Sequence, residues 1–166
     1  MAQMDYPPFR SDPLATGAKA PEVLIVEREK LLRLMMARLL QASGYRVFSC
    51  GDSQQAVELI EKKSLDLIIT DLMMTGTSGM DVLRVARSCQ PRAKVIIITD
   101  TPSSHTLLEA KLEGAYAYLR KPFQLKHFLS ILKDAVEHTK LLDGYQYQEG
   151  EGRGTREVGR GVLKHL

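Results

Sequence analysis

Three short apolar runs in this chain each end on a residue equipped for phosphate chemistry. Leu67-Ile68-Ile69-Thr70 runs into Asp71, Val95-Ile96-Ile97-Ile98 into Thr99, and Tyr116-Ala117-Tyr118-Leu119 into Arg120-Lys121-Pro122. Apolar, β-branched runs of about four to eight residues between helical segments read as buried parallel strands. In an open parallel α/β sheet, ligands sit beyond the carboxyl ends of the strands. The three runs therefore carry a carboxylate, a hydroxyl and an ammonium to one edge of one sheet. A carboxylate able to accept a phosphoryl group, flanked by a donor and a cation, is the core of a phospho-switch.

The hydrophobic period switches repeatedly around these runs. Glu22 to Val26 reads as a first strand. Arg28 to Ser43 follows with Leu32, Met35, Met36, Leu39 and Leu40 at helical spacing, and Gly44 is placed to end that helix. Tyr45 to Cys50 reads as a second strand, and Asp52 or Ser53 can cap a helix running to about Lys63. Leu65 to Thr70 is the third strand; a loop with Gly76 and Gly79 precedes a short helix from Met80 to Ser88. Lys94 to Thr99 is the fourth strand, a helix from Ser103 to Glu113 stops at Gly114, and Ala115 to Leu119 is the fifth strand. A last helix is expected from Gln124 to about Leu142. Five βα units in a row predict an α/β fold with a doubly wound parallel sheet and right-handed crossovers. The expected form is the flavodoxin-like (βα)5 arrangement with strand order 2-1-3-4-5.

Composition bounds what surrounds this unit. Residues 1–21 hold four of the seven prolines and read as a flexible leader. Residues 143–166 hold six of the twelve glycines and eight charged residues of balanced sign, too little apolar surface to offset ordering entropy, so a disordered tail is expected. The compact unit is then residues 22–142, a usual size for one domain. No apolar stretch approaches the roughly 20 residues that cross a bilayer, and the N-terminus lacks a secretory pattern, so no membrane role and a cytoplasmic location are expected. Cys50 and Cys89 have no metal-ligand spacing and read as reduced, buried small hydrophobes. A net charge of +3, with basic residues spread along the chain and no aromatic–basic platform, argues against direct nucleic-acid binding.

At this point the residues resemble the receiver domain of two-component response regulators. The resemblance covers roughly residues 22–142 and rests on Asp71-Leu72-Met73-Met74 followed by Gly79, on Val95 to Thr99, and on Gly114-Ala115 with Tyr118-Leu119-Arg120-Lys121-Pro122-Phe123. It implies that Asp71 is the phosphoacceptor of a phosphorelay, its carboxylate taking a phosphoryl group from a phosphohistidine to form an aspartyl-phosphate. Lys121 and Thr99 would bind phosphoryl oxygens, the Lys121–Pro122 bond is a candidate cis peptide, and Tyr118 would be the switch aromatic that moves with Thr99. Glu27, Asp71 and the Met73 backbone carbonyl would be the metal ligands. Mg²⁺ is the family's expected cofactor. The implied partners are a sensor histidine kinase or phosphotransfer protein, and a downstream protein docking on the face made by the fourth helix, fifth strand and fifth helix. The same face is compatible with a homodimer. The implied role is a signalling switch, not an enzyme. The residues after Asp143 are too few and too polar for a helix-turn-helix output, which points to a stand-alone receiver or one separated from its output region.

Two departures from the family pattern weigh against ordinary metal chemistry. Two acids are usual after the first strand; here they are Glu27 and Arg28. A guanidinium has no acceptor atom, cannot coordinate Mg²⁺ and repels it. Asp100 follows Thr99, where a small residue is usual, and would crowd and repel an incoming phosphoryl group. Charge counting agrees. Glu27, Asp71, Arg28 and Lys121 sum to zero without metal, and Asp100 takes the site to −1. Arg28 therefore stands in the metal's electrostatic place, paired with Asp71 or Asp100. Met73 and Thr101 occupy positions where family members place water-orienting groups, which suggests slow self-hydrolysis of any aspartyl-phosphate. The alternative to a phosphorylation switch is thus a pseudo-receiver: a protein-interaction module with impaired Mg²⁺-dependent phosphorylation.

Overall fold

The computed structural model describes residues 19–74 and 76–148. Most of the expected leader, and the expected tail from residue 149, lie outside the described residues. Within them, strands β1 (Glu22–Val26), β2 (Arg46–Cys50), β3 (Leu67–Asp71), β4 (Lys94–Thr99) and β5 (Ala117–Arg120) alternate with helices α1 (Lys30–Ala42), α2 (Ser53–Lys62), α3 (Gly79–Cys89), α4 (Ser104–Leu112) and α5 (Leu125–Gln148). The strands form one parallel sheet in the order β2-β1-β3-β4-β5, the flavodoxin-like (βα)5 arrangement.

The sheet is buried on both faces because its strands alternate between two apolar clusters. Leu24, Val26, Ile68, Val95 and Ile97 pack with Ala56 and Ile60 of α2, Leu83 and Ala86 of α3 and Ala110 of α4. Val23, Ile25, Leu67, Ile69, Ile96 and Ile98 pack with Met36 and Leu40 of α1 and Phe128, Ile131 and Leu132 of α5. This two-residue period along each strand fixes the register, since a slip of one residue would exchange the two faces. Parallel strands covered on both sides read as continuous apolar runs, which is why β3 and β4 are visible in the sequence.

Several element ends differ from the sequence expectation. Helix α1 starts at Lys30 rather than Arg28, because the Glu27 carboxylate accepts the Glu29 N–H at 2.9 Å and holds residues 27–29 as a turn. Strand β3 starts at Leu67 rather than Leu65. The Leu65 N–H is taken by the Gln90 side-chain oxygen at 2.8 Å, and the Gln90 amide donates to the carbonyls of Ile60 and Lys63. One glutamine thus caps the α2–β3 loop. Helix α5 runs from Leu125 to Gln148, through Gly144, rather than ending near Leu142. Gly44 (φ 86°) and Gly114 (φ 85°) end α1 and α4 in the left-handed conformation that glycine adopts without cost.

Two side-chain expectations are also corrected. Cys50 is buried, and burial pushes its thiol up to about 11, but Cys89 is exposed on the last turn of α3. Met35, expected on the packed face of α1, is exposed together with Leu31 and Leu34, while Met36 and Leu40 carry the packing. Among the described residues no helix is long and apolar enough to cross a membrane.

Candidate functional site

The site lies at the carboxyl edge of the sheet, where backbone bonds that continue the ladders join the ends of all five strands in pairs. The Glu27 N–H donates to the Cys50 carbonyl at 3.1 Å, Leu72 N–H to Ile98 at 2.9 Å, and Lys121 N–H to Thr99 at 2.7 Å. Register places Asp71 opposite Ile98 and Thr99 opposite Arg120. The residues that follow β1 and β5 and those that end β3 and β4 therefore share one edge.

Glu27 and Asp71 are buried, at 0% and 1% exposure. Lys121 Nζ bridges them, 2.7 Å from Glu27 Oε2 and 3.0 Å from Asp71 Oδ2. The other oxygen of each carboxylate accepts a backbone donor: Glu27 Oε1 from Glu29, and Asp71 Oδ1 from Met73 N–H at 3.1 Å. Burial pulls the Lys121 ammonium down, but hydrogen bonds and charge from Glu27 and Asp71 outweigh it and hold the group above its ordinary value. Charge-assisted bonds of this kind are the strong ones in a dry pocket.

Arg28 closes the outer side. Its Nε lies 3.8 Å from Asp71 Oδ2, and its Nη2 lies 3.8 Å from Asp100 Oδ2. Arg28 and Asp100 are each half-exposed, so this pair spans the mouth of the pocket from the β1–α1 turn to the loop after β4.

The remaining predicted residues sit around this centre with other partners. Thr99 is fully buried, and its hydroxyl accepts the Thr101 N–H at 3.1 Å and lies 3.5 Å from the Thr101 hydroxyl. The Tyr118 hydroxyl is 2.7 Å from the Thr106 hydroxyl on α4. Thr106 also belongs to the capping box of that helix with Ser103, so Tyr118 is tied to the start of α4. The Lys121–Pro122 peptide is cis. Met73 presents its amide to Asp71 and its side chain to solvent.

Two contributors lie outside the set of predicted site residues. Gly79, at the start of α3, lies so close to the β3 end that an added Cβ would stand 2.2 Å from the Asp71 carbonyl oxygen; a glycine eight residues after the acid was the available signal. Arg33 donates to the carbonyls of Glu27 and Arg28. Its guanidinium also fills the space beside Gly51, so it braces the turn that carries Arg28. Nothing in a local pattern distinguishes it from an ordinary surface arginine of α1.

These residues do not fit Mg²⁺. The ion demands near-octahedral oxygen donors at about 2.0–2.1 Å. Here both buried carboxylates already accept from Lys121 and a backbone amide, and the adjacent side chain is a cation. Among the described residues no three Asp, Glu, His or Cys side chains gather as a metal-holding group, and no buried side-chain nitrogen or oxygen lacks a hydrogen-bond partner.

A five-stranded flavodoxin-like sheet with a buried carboxylate–lysine cluster at its carboxyl edge defines a receiver-type domain. The model of the response regulator receiver domain family matches residues 23–133, and the chain belongs to that family. It is 36% identical over 124 residues to the transcriptional regulatory protein PdtaR of Mycobacterium tuberculosis, covering 74% of this chain and 60% of that protein. It is 33% identical over 122 residues to a putative NtrX-like response regulator of Rickettsia bellii, covering 72% of this chain. The match spans only about a quarter (26%) of the NtrX-like protein's length. A receiver domain from Clostridium thermocellum superposes with a TM-score of 0.70 at 30% identity, covering 74% of this chain and 98% of that one. The beryllofluoride-activated NtrC4 receiver dimer superposes with a TM-score of 0.67 at 28% identity, covering 71% and 98%. Receivers of this family are signal-transduction modules rather than enzymes, and Mg²⁺ is their usual cofactor.

Proposed function

We propose that this receiver acts as a protein-interaction module whose acid pocket is charge-balanced by Arg28 and Lys121, with Mg²⁺-dependent phosphorylation of Asp71 impaired. The observation that carries this reading is the Arg28 guanidinium, 3.8 Å from Asp71 Oδ2, at the position where the family has a metal-binding acid. Its charge raises the cost of bringing a divalent ion to the same oxygen. Asp100 adds repulsion toward an incoming phosphoryl group on the exposed side.

The partner surface in this reading is the α4–β5–α5 face. Leu108 and Leu112 on α4 and Leu125 at the start of α5 are exposed apolar side chains there. A downstream protein or a second copy would cover them in a cytoplasmic signalling complex. A sensor histidine kinase or phosphotransfer protein is the upstream partner in the second reading, in which Asp71 is a working phosphoacceptor. That reading draws on the adjacency of Asp71, Lys121 and Thr99 at the strand ends.

Arg28→Asp separates the two. The substitution supplies an oxygen donor and removes a positive charge, so Mg²⁺ affinity measured by calorimetric titration is expected to rise at least about tenfold. Unchanged Mg²⁺ affinity would remove the first reading. Efficient addition of one phosphoryl group to the unaltered protein by a small phosphodonor with Mg²⁺, abolished by Asp71→Asn, would establish the second.

A further inference from the structure

Helix α4 is held to the rest of the domain in an unusual way for a helix covering a sheet. Of its nine residues, Ala110 alone is buried. Leu107, Leu108 and Leu112 are exposed. It is also tied by polar contacts at both ends. At the amino end, Thr106 meets the Tyr118 hydroxyl. Toward the carboxyl end, one guanidinium gathers three carboxylates from two helices. Arg84 of α3 reaches Glu109 at 2.7 Å through Nη2, Glu113 at 3.2 Å through Nε, and Asp81 at 3.1 Å through Nη1.

Asp81 does not merely add a fourth charge. Its carboxylate accepts the Ser78 N–H at 2.9 Å in the α3 capping box, which lowers its pKa from the ordinary carboxylate value, with Arg84 contributing. It fixes Arg84 from its own helix, one turn away, and leaves the other two arms of the fork for α4. The helix itself supplies Glu109 one turn before its C-cap residue Glu113, so both acids face α3 together.

A single buried alanine contributes little burial compared with a leucine or isoleucine anchor. Exposed ion pairs are individually weak and screened by salt, but a network in which one arginine holds several carboxylates is where such pairs become measurable. We infer that α4 is a releasable helix whose docking is governed by the Arg84 clasp, so that it detaches locally while the sheet stays folded. Arg84 is a positioning residue in this account; it touches neither Asp71 nor the loops around it, and the inference is independent of whether Asp71 is phosphorylated.

Amide hydrogen exchange of the full chain, resolved by segment, tests this. In Arg84→Gln, exchange across residues 106–112 is expected to quicken about tenfold while β1, β3 and β4 keep their rates, because local opening and global unfolding are separate processes. In the unaltered protein, raising sodium chloride from 0.05 to 0.5 M is expected to quicken the same segment several-fold, and Arg84→Gln should show no further salt effect. Unchanged α4 exchange in both arms would overturn the inference. So would an increase matched in the central strands, since that reports loss of global stability.

Discussion

Gly79→Ala is expected to cost the domain about 3 kcal/mol, as overpacking against an element that cannot give way does. Alanine is otherwise better than glycine in a helix by about 0.5–1 kcal/mol, so helix propensity predicts the opposite sign. The reason is a backbone-to-backbone contact. The new methyl would stand 2.2 Å from the Asp71 carbonyl oxygen and 2.9 Å from the Leu72 Cα. Neither is the end of a flexible side chain. Gly79 N–H donates to the Leu72 carbonyl at 2.9 Å, so α3 cannot back away without losing that bond. Urea denaturation with an unchanged slope and a lowered midpoint is the expected outcome. A variant as stable as the parent would show that the approach of α3 to the end of β3 is not tight.

Lys121→Met is the second large effect, expected to cost about 3–5 kcal/mol, the usual range when one partner of a buried charge cluster is removed. Glu27 and Asp71 would be left facing each other in a pocket with 0% and 1% exposure. Arg28 is too far out to replace the lost contact, since its nearest atom is 3.8 Å from Asp71 and the side chain is half-exposed. Adding Glu27→Gln to Lys121→Met should recover part of the loss, and a double-mutant cycle measures the coupling. The pH dependence has a definite sign. The Lys121 pKa is raised in the folded state, so its contribution is full below the unfolded lysine value of about 10.4 and is lost as pH rises through the folded value. The parent should show an alkaline loss of stability that Lys121→Met lacks.

The legible part of this molecule is the part written in local pattern. β1 and β4 were readable residue for residue, because buried parallel strands concentrate β-branched side chains into short runs. Asp71 and Lys121 were readable because each stands at the end of such a run, and strand ends in this topology converge. Arg28 was readable as an anomaly, a cation where the resemblance calls for an acid. What local pattern could not supply is which distant side chain completes each turn. Gln90 caps a loop that begins 27 residues earlier, at Lys63; Thr106 holds Tyr118; Arg84 reaches across to α4. These are polar partnerships set by tertiary packing, and single polar residues on exposed faces carry no period. The end of α5 was misplaced for a compositional reason: the Gly-rich, charged segment from residue 143 reads as tail, yet the helix runs on to Gln148.

The contrast between the two cysteines gives the molecule a ready-made handle. Cys50 is shut inside the core with its thiol held protonated near neutral pH, whereas Cys89 stands in solvent at the opposite end of α3 from Gly79. A maleimide dye or spin label would therefore attach at one place without any engineering of the chain. That place stands beside the end of α2 and the loop before β4, at the far end of α3 from the strand-end carboxylates, so a label there leaves the pocket untouched.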